Sequence, residues 1–263
     1  IVGFGRLFMV ASTIFLFPFA YLSILTSGLA RIYGNIRLKK HTNVYADTSE
    51  TEDPVVKKEI SSIVKKSLPG LIYYCFSGQI STWIISIFGN PASIAQIGAL
   101  GRISSIITLL MVIFSILIVP RFARIQNQPH KLLRYYTKIL IGMTIILLLI
   151  VACTYLFSDQ ILWILGSNYK KLNIELVLLI TGTAITTIMA AALQLALSRG
   201  WVLKYYISIS GSLLPIIVSC FLFNISTLEG ILYLNILVAL VQMLVHVSYG
   251  YYKILELNKN HKS

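Results

Sequence analysis

Thirty-five consecutive residues, Ser67 to Gly101, carry no charged side chain. A helix needs about 20 apolar residues to cross the hydrocarbon core of a bilayer, so this run is too long for one crossing. It also contains Gly89-Asn90-Pro91, a turn signal that divides it in two. Further uncharged runs recur along the chain, and charged residues make up only 12% of it against the roughly 25% of a soluble domain. With 57% hydrophobic residues and a mean hydropathy of +0.81, the chain belongs in a membrane. Spans in lipid must satisfy their own backbone hydrogen bonds, and runs of this length do so as helices. The expectation is an all-α, polytopic integral membrane bundle with spans at about 7–30, 68–88, 94–119, 139–157, 176–198, 205–224 and 230–252.

The net charge of +13 suggests nucleic acid in a soluble protein, but here the basic residues sit between the spans. Segments 31–66, 121–138 and 199–204 and the tail hold 18 of the 22 Lys and Arg residues. In a seven-span arrangement all four segments fall on one side. The other side holds Lys170 and Lys171, with Arg6 at the start of the first span. The positive-inside rule makes the basic side cytoplasmic, which places the C-terminus there and excludes a nucleic-acid partner.

The chain opens on Ile1 at a transmembrane run, and so reads as a fragment of a longer polytopic protein. The long connection 31–66 carries charges of both signs. Its 54–66 stretch has the spacing of an amphipathic helix lying on the inner leaflet. Three domains follow: 1–30, the last helix of a truncated lobe; 31–66, a cytoplasmic linker; and 67–263, a six-helix lobe with a short tail. Cys75, Cys153 and Cys220 lie far apart without metal-ligand or CxxC spacing, and read as small hydrophobes in helix packing. No metal and no cofactor is expected.

Four motifs carry a resemblance: Leu68-Pro69-Gly70 after the basic linker, Ile97-Gly98-Ala99-Leu100-Gly101-Arg102-Ile103, Val119-Pro120-Arg121-Phe122-Ala123-Arg124, and Ile164-Leu165-Gly166-Ser167-Asn168-Tyr169. In their order and spacing the chain resembles the C-terminal half of a polysaccharide or O-antigen flippase. Such flippases belong to the multidrug/oligosaccharidyl-lipid/polysaccharide exporter superfamily. The resemblance implies two six-helix lobes joined by a cytoplasmic connection, with 7–30 as the sixth helix, 31–66 as the lobe linker and the remaining spans as helices seven to twelve. It implies a bacterial cytoplasmic membrane and a substrate of polyprenyl-pyrophosphate-linked oligosaccharide, flipped by alternating access. Membrane lipids, the missing N-terminal lobe and other glycan-assembly proteins are the implied partners. A multidrug exporter of the same superfamily, a membrane glycosyltransferase or polymerase, and a non-transporting scaffold subunit are the alternatives.

Arg102 is the most informative residue. It lies about 12 Å into its span, where an arginine costs about 2.5–3.5 kcal/mol on insertion scales and calls for a cavity, a partner or a ligand. Three readings stand: contact with the substrate diphosphate, snorkelling to the outer interface, or a link to backbone carbonyls. Tyr74, Ser77 and Ser81 share one face of the second span and, with Gln79, are the candidate path-lining groups, because the resemblance puts that helix beside the central cavity.

Other polar stripes are Thr183, Thr187 and Gln194; Ser208, Ser212, Pro215 and Ser219; and Asn235, Gln242 and His246. Those of Ser and Thr have the plainer reading of helix packing. Pro18 and Pro215 imply kinked spans. His246 reads as an interfacial histidine, with a proton relay as its alternative. Asn224-Ile225-Ser226 is a sequon by pattern alone. The sequence holds no HExxH, P-loop, Gly-x-Ser-x-Gly or paired carboxylates within a span, and no large outer loop for catalytic groups. A transporter is therefore expected rather than an enzyme.

Overall fold

The computed structural model describes residues 20–45, 53–126, 128–166 and 169–260. They are helical apart from short connections, with no strand among the described residues. The elements are α1 (Ala20–Tyr45), α2 (Pro54–Phe88), α3 (Pro91–Leu117), α4 (Val119–Ala123), α5 (Pro129–Leu156), α6 (Ser158–Leu165), α7 (Asn173–Leu197), α8 (Tyr205–Leu222) and α9 (Leu228–Asn260). Six helical stretches are long and apolar enough to cross a membrane: 54–88, 93–123, 129–156, 173–197, 205–222 and 228–257. The chain is a multi-pass, all-α membrane protein.

Local chemistry explains where the helices start. Three of the long ones, α2, α3 and α5, begin on proline, whose fixed φ and missing N–H suit the first helical position. Asp53 caps α2, its Oδ1 accepting the Val55 N–H at 2.8 Å. The Gly89-Asn90-Pro91 break falls where the turn signal places it. Gly89 has no room for a side chain, since a Cβ there would stand 2.6 Å from Ile85 Cγ1. Gly166, after α6, has a φ of 112° that glycine alone adopts without strain.

Two units make up the chain, 1–58 and 59–263. In the first, α1 continues from Ala20 to Tyr45, well past the boundary expected at 30. The rest of the first expected span, including Pro18, lies outside the described residues. The 54–66 stretch is likewise not a separate surface helix: it forms the opening turns of α2, a single helix of 35 residues. Both differences have one cause. The expected spans were bounded by charge, and lysines end a hydrophobic run without ending a helix. Pro69 lies inside α2, where it removes the hydrogen bond to the Lys65 carbonyl but does not end the helix.

In the second unit α7 is the hub, packing against α9, α5 and α3, while α8 packs on α9. Leu176, Ile180, Ala184, Ala191, Ala192 and Leu195 of α7 are buried in this core. Small residues at the centre let the neighbouring backbones approach, the usual solution where lipid is as apolar as the side chains.

The basic end of the bundle is tied together by aromatic and cationic contacts. Tyr136 of α5 is fully buried, stacks edge-on against Tyr251 of α9 at 5.0 Å, and donates its hydroxyl to the Val247 carbonyl at 3.3 Å. Arg199 Nη1 donates to the Ala123 carbonyl at 2.8 Å and its guanidinium lies 5.9 Å from the Phe122 ring. Burial lowers the Arg199 pKa from its ordinary value. Tyr249 closes the set by donating to the Val202 carbonyl at 2.9 Å. These contacts bring 122–136, 199–202 and 247–251 to one end. At the other end, Asn173 Nδ2 donates to Asp159 Oδ1 at 2.8 Å. The side-to-side alternation expected from the charge pattern is thus the alternation of the helices in this unit.

Candidate functional site

A cavity of about 360 Å³ lies among α2, α7, α8 and α9. Its polar wall comes from Tyr74, Ser77, Thr183, Thr186, Ser212, Asn235 and Gln242, with Leu178, Met189, Ile216 and Leu232 among the apolar remainder. No charged side chain among the described residues lines it. Thr183 and Thr186 donate their hydroxyls to the carbonyls of Leu179 and Gly182 at 2.8 and 2.9 Å, and Ser77 donates to the Tyr74 carbonyl at 3.2 Å. With these protons committed to the backbone, the oxygen lone pairs remain to meet a guest. The cavity is neutral and rich in acceptors.

A hydrogen-bonded cluster closes one end of it. The hydroxyls of Tyr74 and Ser208 are 2.5 Å apart, and Tyr74 Oη donates to Gln242 Oε1 at 3.2 Å. Gln242 Nε2 donates to the Ser208 carbonyl at 2.6 Å and to Ser212 Oγ. His246 Nδ1 stands 2.9 Å from the Gln242 carbonyl. Ser208, Ser212, Gln242 and His246 are all buried. Beyond the cluster is a crevice of about 60 Å³, lined by Lys66, Gly70, Tyr74, Tyr205, Ser208 and His246 among others.

Arg102 lies elsewhere. It is exposed, lining a cavity of about 660 Å³ with Ala95, Gly98, Ala99, Ile164, Leu165 and Tyr169. Because α3 begins at Pro91, Arg102 is about 16 Å along it at 1.5 Å per residue, deeper than the sequence boundary implied. It has no acidic partner among the described residues. Its cavity combines the Gly98-containing motif of α3 with the Leu165 and Tyr169 ends of the Leu-Gly-x-x-Tyr motif, so two of the four sequence motifs meet around one guanidinium.

The candidate residues therefore do not form one site. Tyr74 and Ser77 line the neutral cavity, Arg102 lines the other, and Gln79 is exposed and lines neither. The side chain of Ser81 lies outside the described residues. The Thr183, Thr187, Gln194 stripe also divides. Thr183 reaches the cavity, Thr187 is buried against the Thr183 carbonyl at 2.7 Å, and Gln194 Oε1 accepts from Ser115 Oγ of α3 at 2.6 Å.

One further expectation changes: the three cysteines are free and exposed on the outside of their helices rather than packed between them. His246 is buried in the bundle, its Nδ1 beside the Gln242 carbonyl. Asn224 Oδ1 accepts the Ser226 N–H at 3.1 Å. Thr186 and Asn235 complete the cavity wall. Their signal in the sequence was only helical spacing, from Thr183 for the first and to Gln242 for the second. No protein family, no curated protein and no solved structure matches this chain.

Proposed function

We propose that this chain is a lobe of a flippase that carries a polyprenyl-pyrophosphate-linked oligosaccharide across a bacterial cytoplasmic membrane, with its basic end and C-terminus in the cytoplasm. The observation that carries the reading is Arg102. A permanent cation exposed to a large cavity deep along an apolar helix, with no carboxylate beside it among the described residues, is matched by a ligand that brings the negative charge. A guanidinium presents paired N–H donors to phosphate oxygens, so a diphosphate suits it in charge and in geometry. The lipid tail stays in the bilayer, and no bond of the substrate is made or broken.

The neutral cavity has a different part in this reading. Its hydroxyl and amide oxygens, set among apolar side chains, suit the hydroxyl groups and apolar faces of sugar rings. Tyr74 and Ser77 contact saccharide there. A second six-helix lobe is the counterpart against which this one rocks.

The test uses a strain deleted for the intact gene. The expected result is lipid-linked oligosaccharide accumulating on the cytoplasmic leaflet, cleared by the full-length protein and not by its Arg102→Ala form. Equal membrane levels of the two forms separate transport from expression. Complete surface glycan in a deletion strain that has no second flippase would refute the reading and favour drug export or a scaffold role.

A further inference from the structure

We infer that Tyr74 is the tongue of a polar latch that fastens α2 to α8 and α9, and that its release joins the 360 Å³ cavity to the crevice beyond it. The inference goes beyond the flippase reading and does not rest on it. Three observations carry it.

The first is the position of the cluster. Tyr74 lines both spaces; Ser212 and Gln242 line the larger, Ser208 and His246 the smaller. The Tyr74–Ser208–Gln242 hydrogen bonds therefore form the partition between them.

The second is how loosely α2 is otherwise held. It forms no extended interface with another helix of the second unit among the described residues. Leu71, Ile72, Phe76, Trp83 and Ile87 along it are all exposed. A helix with so little packing moves at low cost, and a hydrogen bond then governs its position.

The third is that α2 has ends suited to motion. Near its far end Ile85 is fully buried, next to the Gly89-Asn90 break, and serves as the pivot. From Ile85 to Tyr74 the helix spans about 17 Å at 1.5 Å per residue, so a small rotation about the pivot lifts Tyr74 away from its partners. Below the latch, Pro69 leaves the Lys65 carbonyl without its helical donor, a weak point in an otherwise continuous helix.

The chemistry of the latch allows a guest to open it. Gln242 Nε2 is committed to Ser208 and Ser212, while its Oε1 accepts only from Tyr74 in the bonds described. A hydroxyl-bearing guest in the larger cavity replaces Tyr74 as donor to Oε1. The α8–α9 half of the cluster then stays intact while α2 comes free. The polar groups exposed by the opening find partners in the guest or in water, so the open state carries no orphaned buried donor.

The test is amide hydrogen exchange on the full chain in lipid nanodiscs, comparing parent, Tyr74→Phe and Ser208→Ala. Tyr74→Phe keeps the ring and removes only the latch hydroxyl. Ser208→Ala removes its nearest partner and leaves the Ser208 carbonyl for Gln242. The expected result is exchange at residues 70–80 faster by about fivefold to tenfold in Ser208→Ala, which loses one hydrogen bond of ordinary strength, and by more than that in Tyr74→Phe, which loses two, with α5 and α7 unchanged in both. Unchanged exchange at 70–80 in both variants would overturn the latch. So would an equal rise in α5 and α7, which would mark a general loss of stability. Because no transport is measured, a latch that opens in a protein that moves no oligosaccharide refutes the flippase alone.

Discussion

Gly250 is the position at which one added carbon tests the packing of the basic end most directly. A Cβ there would stand 2.2 Å from Tyr136 Oη, 2.5 Å from Cζ and 3.1 Å from Cε2. Tyr136 is fully buried between Phe122 and Tyr251, with ring centroids at 6.2 and 5.0 Å, so the ring has no free direction in which to yield. Gly250→Ala must displace it by about 1 Å, an overpacking that costs about 1–3 kcal/mol. The displacement also stretches the 3.3 Å bond to the Val247 carbonyl, worth about 1 kcal/mol, and disturbs an aromatic pair worth about 0.5–1.5 kcal/mol. Against this, alanine in a helix interior gains about 1 kcal/mol over glycine. The expected net loss is about 2–4 kcal/mol, measured by reversible SDS unfolding in mixed micelles. The control is the same substitution in a Tyr136→Leu background, where the obstructing ring is gone and Gly250→Ala should be neutral or stabilising. A loss below about 0.5 kcal/mol in the parent, or equal losses in both backgrounds, refutes the close contact of α5 and α9.

Gly230→Ala places a Cβ 2.0 Å from the Asn224 carbonyl oxygen, a backbone atom that cannot swing aside, and should lower the thermal midpoint in detergent by an amount equivalent to about 2–3 kcal/mol. The turn it disturbs holds the Gly230 N–H on Thr227 Oγ1 at 3.1 Å, so Thr227→Ala should shift the midpoint the same way by less. A double-mutant cycle of Ser115→Ala and Gln194→Leu should give a coupling of about 0.6 kcal/mol, the usual worth of a hydrogen bond between membrane helices. Ser115 also donates to the Met111 carbonyl at 2.7 Å, and that alternative partner keeps the coupling small.

The class of fold was legible because it depends on sums. Uncharged runs of sufficient length and the alternation of basic segments are properties of many residues at once, and no single misjudged side chain alters them. Helix ends were legible where the cause was covalent and read as such, as at Pro91, which begins its helix after the Gly89-Asn90 turn; the start at Pro129 was missed, because the span was bounded at 139 by Lys138. They were misplaced where charge was taken for a boundary. Arg31 to Tyr45 continues a helix, and Lys65 and Lys66 lie inside one, because helical hydrogen bonding is indifferent to whether the side chain is apolar.

The site was legible only as separate stripes. Helical spacing identifies which residues share a face of one helix, but not which faces of different helices meet. Tyr74, Ser208, Ser212, Gln242 and His246 come from three helices, and nothing within any one of them announces the other two. A physical criterion still separates packing hydroxyls from cavity ones. Thr187 and Thr183 both bond back to their own helix, yet only Thr183 lines open space. The discriminating property is what faces the remaining lone pairs, a property of the assembled bundle. The same reasoning separates Arg102 from the neutral cavity. A cation that lined the acceptor-rich space would be bound by the protein's own oxygens and lost to a ligand. In the flippase reading proposed above, the guanidinium on α3 beside Gly98 and Tyr169 has its donors for an anion, and the oxygens around Tyr74 have their lone pairs for hydroxyl groups. Two cavities of opposite preference suit a guest with a charged head and a neutral polar body better than either cavity suits it alone.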